Sequence, residues 1–137
     1  MNIIVVGCGK IGLVTVSSLV AEGHNVTVID TDSKIVNDTV NIYDVMGVCG
    51  NGADSDALLE AGITETDIFI AVTGSDELNM LSCFFAKKMG AKHTVARIRN
   101  TDYNDKSLSL IKQYLDLSLT VNPERLVANE LYNILKL

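Results

Sequence analysis

Apolar runs of strand length recur along the chain, at Ile3–Val6, Asn25–Ile29, Asp44–Cys49, Ile68–Val72, His93–Ile98 and Leu117–Val121. Runs such as "IIVV" and "IFIAV" carry no polar alternation, so they read as strands buried on both faces. Between them the spacing becomes helical. Gly9 to Glu22 places Val16, Leu19 and Val20 on one side and stops at Gly23. Ser33 to about Asn41 predicts a short helix, and Asp54 to Ala61 a second one, capped by Asp54 or Ser55 and stopped by Gly62. Ser75 to Met89 opens with "SDE", a cap followed by acids that suit the helix dipole, and ends at Gly90. Asp105 to Gln113 and a last stretch beginning at Pro123 complete the set.

Strand and helix thus alternate about six times. That predicts an α/β fold: a Rossmann-like, doubly wound, parallel six-stranded sheet of order 3-2-1-4-5-6 with helices on both faces. No long linker, repeat or low-complexity tract interrupts the chain and proline occurs once, so residues 1–137 read as one domain. The last helix carries Leu126, Val127, Leu131, Ile134 and Leu135 at helical spacing, which serves either an ordinary core face or a dimer seam.

Composition narrows the function. At 47% hydrophobic residues the chain can build a sizeable core, yet no apolar run approaches the ~20 residues of a membrane span. Met1 leads straight into the first strand without a basic leader, as expected of a native N-terminus. The net charge of −6 disfavours nucleic acid as a partner but leaves room for a nucleotide, whose phosphates backbone amides can hold. Cys8, Cys49 and Cys83 form no C-x-x-C pair, which argues against a metal framework or a dithiol redox site; they read as three small, reduced core residues.

The candidate chemistry lies in "GCGKIG". Gly7, Gly9 and Gly12 follow the first strand at once and open a helix, which is the context a G-x-G-x-x-G motif needs to bind a dinucleotide. Gly7 permits the tight turn, Gly9 lets backbone approach a pyrophosphate, and Gly12 lets helix and strand pack closely. The phosphates would sit on free N–H groups around Lys10 to Gly12. The second strand, "VTVID", ends in Asp30, eighteen residues beyond Gly12. A carboxylate there accepts hydrogen bonds from a ribose diol and repels a 2′-phosphate, favouring NAD or an adenine nucleotide over NADP. The bland alternative is a turn-capping Asp.

Other strand ends should face the same crevice. Gly50, Asn51 and Gly52 form a turn able to approach an adenine ring, and Thr73 and Gly74 fall beside the phosphate loop. Arg97 and Arg99 share a face if their strand continues; Arg97 reaches either a phosphate or a carboxylate of a second subunit. Lys10 and Lys34 read as solvated, within reach of phosphate. His24 and His93 enter strands and so lie at the opposite, amino edge of the sheet. Without an acid or base at the crevice or a substrate domain, binding without turnover fits better than a small NAD-dependent oxidoreductase or the cofactor-binding half of one, which stands as the alternative.

"GCGKIG", "VID", "GNGADSDALLEAGI", "DIFIAVTGSDELNML", "ARIRN" and "VNPERLVANEL" together resemble the TrkA N-terminal domain, also called RCK or KTN, over essentially the whole chain. The resemblance implies a cytoplasmic regulatory subunit, peripheral to the inner face of the plasma membrane. It would form homodimers or rings and gate a membrane-embedded potassium transporter when NAD(H), ATP, ADP or AMP binds. Carried over by position, Gly7, Gly9 and Gly12 form the phosphate turn, with backbone contacts from Cys8, Lys10 and Ile11. Asp30 holds the ribose, flanked by Thr31, Asp32 and Lys34. Asn51, Gly52 and Ala53 border the adenine, and Val72, Thr73 and Gly74 follow the fourth strand. Arg97 serves phosphate or the subunit interface, and Glu124 the dimer contact. Chains of this family often continue into a C-terminal ligand-binding domain, whereas this sequence stops at Leu137.

Overall fold

The computed structural model describes residues 1–121. Their order is β1 (Asn2–Val6), α1 (Lys10–Ala21), β2 (Asn25–Asp30), α2 (Ser33–Tyr43), β3 (Met46–Cys49), α3 (Ser55–Glu60), a 3-10 turn (Ile63–Glu65), β4 (Ile68–Ala71), α4 (Asp76–Met89), β5 (His93–Arg97), α5 (Asp105–Tyr114) and β6 (Leu119–Val121). The expected last helix, with Glu124 and its apolar residues from Leu126 to Leu135, lies outside the described residues.

The six strands form one parallel sheet in the order β3-β2-β1-β4-β5-β6, as the alternation predicts. Alternate residues of each strand feed opposite faces. Ile4, Val6 and Phe69 pack with Leu58 of α3, Cys83 of α4 and Ile111 of α5. Ile3, Val5 and Ile70 pack with Val16 and Leu19 of α1. Burial on both faces explains why β4, "IFIA", is apolar throughout.

The register places Val6 of β1 opposite Ile29 of β2 and Ala71 of β4, so β1 and β4 end level and β2 runs one residue further, to Asp30. Strand order departs in opposite directions on either side of β1, and a crevice opens at such a switch point. Several boundaries differ from expectation. Asp44 adopts a left-handed φ of 54° and ends α2, which therefore runs to Tyr43 and leaves β3 to begin at Met46. β5 stops at Arg97, and β6 starts only at Leu119.

Candidate nucleotide site

Among the described residues, four of the five α-helices have a side-chain cap. Asp32, Asp54, Ser75 and Asn104 each accept a hydrogen bond from a first-turn amide of α2, α3, α4 and α5. Helix α1 has Gly9 as its N-cap and no side-chain cap. Its first helical bond runs from the Leu13 N–H to the Gly9 carbonyl at 2.9 Å, leaving the amides of Lys10, Ile11 and Gly12 outside the ladder. Lys10 and Ile11 line the crevice, so the positive end of the helix dipole meets it with free amides, an arrangement suited to an anion.

The three glycines are there for different reasons. Gly7 has φ of 103°, and a Cβ on it would lie 3.0 Å from the backbone of Val72 and Thr73. A Cβ on Gly12 would lie 1.8 Å from the Gly7 carbonyl oxygen, so helix and turn touch backbone to backbone there. Around Gly9 nothing comes within 4 Å of that position, and the open space belongs to the cleft.

The cleft has a volume of about 400 Å³. Among the expected residues, Gly7, Gly9, Lys10, Ile11, Asp30, Thr31, Gly52, Val72, Thr73, Gly74 and Arg97 line it, and Gly50 joins them from the same turn as Gly52. Asp30 sits on the β2 side, where its Oδ2 accepts the Cys8 N–H at 2.8 Å and its Oδ1 the Asp32 N–H at 2.9 Å. Each oxygen retains a second lone pair for a ribose hydroxyl.

Six expected residues do not reach the cleft wall. The Cys8 side chain is buried and its amide is taken by Asp30. Gly12 lies beneath the turn. Asp32 caps α2 by accepting from the amides of Lys34 and Ile35, which places Lys34 in that first turn. Asn51 folds its own turn, accepting the Ala53 N–H at 2.8 Å. Sequence reasoning missed Val6, Ile29 and Leu78, which supply apolar lining. Val6 and Ile29 occupy level positions near the ends of β1 and β2, a signal that becomes readable only once strand order is known.

On the β4 side, Arg97 donates from Nη1 to the Thr73 carbonyl at 3.2 Å, while its buried Nε has no partner among the described residues. Burial, and next the like charge of Arg99, hold the Arg97 pKa below its ordinary value, with Asp76 opposing them. The Asp76 carboxylate accepts from the backbone amides of Arg99 and Asn100. Arg99 is not among the lining residues and donates from Nη2 to the carbonyl of Gly74, which is, at 3.1 Å. His93 begins β5 and His24 precedes β2, both at the amino edge, across the sheet from the cleft. Lys10, Asp30 and Arg97 are the ionisable side chains among the described lining residues. No described helix is long and apolar enough to cross a membrane.

The family model of the TrkA-N domain matches residues 3–114. A Trk system potassium uptake protein TrkA homolog from Methanothermobacter thermautotrophicus is 30% identical over 135 residues, covering 98% of this chain and 60% of that protein. A homolog of the same name from Archaeoglobus fulgidus is 36% identical over 131 residues, covering 95% of this chain and 29% of that protein. The chain therefore spans between about a third and three fifths of these relatives. Among solved structures, the TrkA-N domain of the inner membrane protein ybaL from Escherichia coli superposes with a TM-score of 0.78 at 20% identity, covering 98% of this chain and 96% of that one. The GsuK channel bound to NAD gives 0.72 at 15% identity, over 88% of this chain and 21% of that one. UDP-N-acetylglucosamine 3-dehydrogenase GnnA from Acidithiobacillus ferrooxidans gives 0.62 at 18% identity, over 88% and 37%. At these identities the structural likeness establishes the fold, and the fold is common to channel and dehydrogenase alike.

Proposed function

The chain belongs to the TrkA-N domain family, and from that premise we propose that it is a nucleotide-binding regulatory module of a potassium-uptake system. The observation that carries this reading is the uncapped start of α1, whose free amides meet a cleft of about 400 Å³ with Asp30 on one side and Arg97 on the other. NAD(H) is the first candidate ligand. Its diphosphate suits the amides of Lys10 to Gly12, and its adenosine ribose suits Asp30. ATP, ADP and AMP offer the same adenosine half and compete for the site.

In this reading the module works at the cytoplasmic face of the membrane as a homodimer or ring beneath a potassium-translocating subunit. The nucleotide shifts the module between two shapes, and it does so through a difference in affinity for the two. The name Trk system potassium uptake protein, borne by the relatives, supports the transport role.

The oxidoreductase alternative draws no support from the lining, where no histidine, tyrosine or cysteine side chain stands among the described residues. Calorimetric titration of the purified chain with NADH, NAD⁺, ATP, ADP and AMP tests the proposal. Saturable binding of at least one, lost in Gly9→Val, is the expected result. A correctly folded chain that binds none of them overturns it.

A further inference from the structure

Asn79 is the fourth residue of α4, and none of its surface is exposed. Its Oδ1 accepts the Thr73 N–H at 2.9 Å and lies 2.6 Å from Thr73 Oγ1. Its Nδ2 donates to the Thr73 carbonyl at 3.2 Å and to the Arg97 carbonyl at 2.9 Å. A carboxamide has two acceptor sites and two N–H donors, and all four are used. The orientation follows from the partners, because an N–H must meet the oxygen and two carbonyls must meet the NH₂. One buried side chain thus joins the loop after β4 to the end of β5.

The consequence falls on the Thr73 hydroxyl, which has a single proton to give. Asn79 Oδ1, which can only accept, lies at 2.6 Å, while the Ser75 carbonyl lies at 3.2 Å. The proton therefore belongs to Asn79. The Ser75 N–H donates back to Thr73 Oγ1 at 3.2 Å. One lone pair, and no proton, remains for anything in the cleft that Thr73 lines.

We propose that Asn79 is a positioning residue that makes Thr73 an acceptor-only contact, so that the ligand group meeting the Thr73 hydroxyl is one that donates. The inference rests on the nucleotide reading above. A dinucleotide lies across the switch point, with one ribose on each side of the glycine turn. Asp30 stands on the β2 side and Thr73 on the β4 side. The group beyond the diphosphate is then a ribose hydroxyl, which donates to Thr73, in preference to a terminal phosphate oxygen, which cannot.

Calorimetry with ADP-ribose and ADP reads this directly, because the two differ by the second ribose. The wild-type chain favours ADP-ribose. Thr73→Val reduces that preference roughly three- to tenfold, the scale of one hydrogen bond. Asn79→Ala reduces it by a similar factor, the double variant loses no more than either single one, and Thr73→Ser restores it. Thr73→Val keeps the backbone N–H and carbonyl that Asn79 holds, so it decides the matter even if Asn79→Ala fails to fold. An unchanged preference in Thr73→Val, or additive losses in the double variant, overturns the proposal while leaving nucleotide binding intact. A wild-type chain that binds neither ligand overturns the nucleotide reading itself.

Discussion

The Cys8 amide donates to Asp30 Oδ2 across 2.8 Å, so the residue between the first two glycines is tied to the carboxylate that ends β2. Through its other oxygen Asp30 also accepts the Asp32 N–H, at the entrance to α2. The candidate ribose acceptor is thus also a brace between two loops that frame the cleft. In the proposed reading, binding and stability are coupled at this one carboxylate.

Asp30→Ala should therefore lose twice. Affinity for NADH falls about tenfold or more, as for a hydrogen bond to a charged group, and unfolding free energy drops by roughly 1–3 kcal/mol as two amides lose their acceptor. Asp30→Asn keeps an acceptor oxygen but removes the charge. It should raise the affinity for NADPH relative to NADH, which a purely structural Asp30 would leave unmoved. Titration of both variants with both cofactors, beside urea unfolding, separates the two roles.

Gly9 and Gly12 should fail in opposite ways. A Cβ on Gly12 meets the Gly7 carbonyl oxygen at 1.8 Å, a backbone atom that cannot swing aside. Gly12→Ala should cost ~3 kcal/mol or more, at or beyond the upper range of overpacked sites. A Cβ on Gly9 meets nothing within 4 Å. Gly9→Val should unfold in urea close to wild type yet bind no nucleotide. A Gly9→Val chain that binds NADH normally would show that the ligand does not approach the turn.

The strands were legible because a sheet covered on both faces leaves apolar runs with no polar interruption, as in Ile68–Ala71. Their ends were less so. Asp44 turns the chain with a left-handed backbone, and no spacing rule announces that. The glycine turn and Asp30 are readable because each acts where its own strand ends. Asn79 is not, since its role appears only when α4 packs beside Arg97, eighteen residues onward. Arg97 and Arg99 share a face only if their strand continues, and that condition is not met. β5 ends at Arg97, so strand alternation no longer governs Arg99.

The cysteines should differ sharply in reactivity. Cys8 and Cys83 are buried as expected of core residues, but Cys49 is not in the core: it ends the edge strand β3 and is exposed. Burial, and next the negative charge of Asp30, raise the Cys8 pKa from 9.0 to about 11, and burial pushes the Cys83 thiol up as well. With a thiol reagent at pH 8, one thiol should react quickly and two only on unfolding. The sign for stability follows. Between pH 9 and about 11 the unfolded chain releases the Cys8 proton while the folded chain keeps it, so stability is intact below that window and falls across it. Cys8→Ala should flatten part of this decline, and Cys83 should sustain the remainder. Urea unfolding at a series of pH values measures both.

Arg97 is the residue whose surroundings ask most plainly for a ligand. Its Nη1 is held by the Thr73 carbonyl and its buried Nε by nothing among the described residues. The ion pairs among those residues are Lys92 with Asp67 and, when its ring is protonated, His24 with Glu22; Arg97 takes part in neither. Meanwhile Arg99 adds a like charge nearby. A cation so placed costs the empty protein desolvation and repulsion, and a diphosphate in the cleft would offset both. Arg97→Met keeps the apolar stem and removes the charge. The free chain should therefore melt at or slightly above the wild-type temperature, while affinity for ADP falls about tenfold, the loss of one charge-assisted contact. Because the lost term is ionic, the variant's affinity should also depend less steeply on salt than the wild type's. If Arg97 instead pairs with a carboxylate of a second subunit, Arg97→Met leaves ADP affinity and its salt dependence unchanged and weakens self-association, which sedimentation of the same two proteins measures.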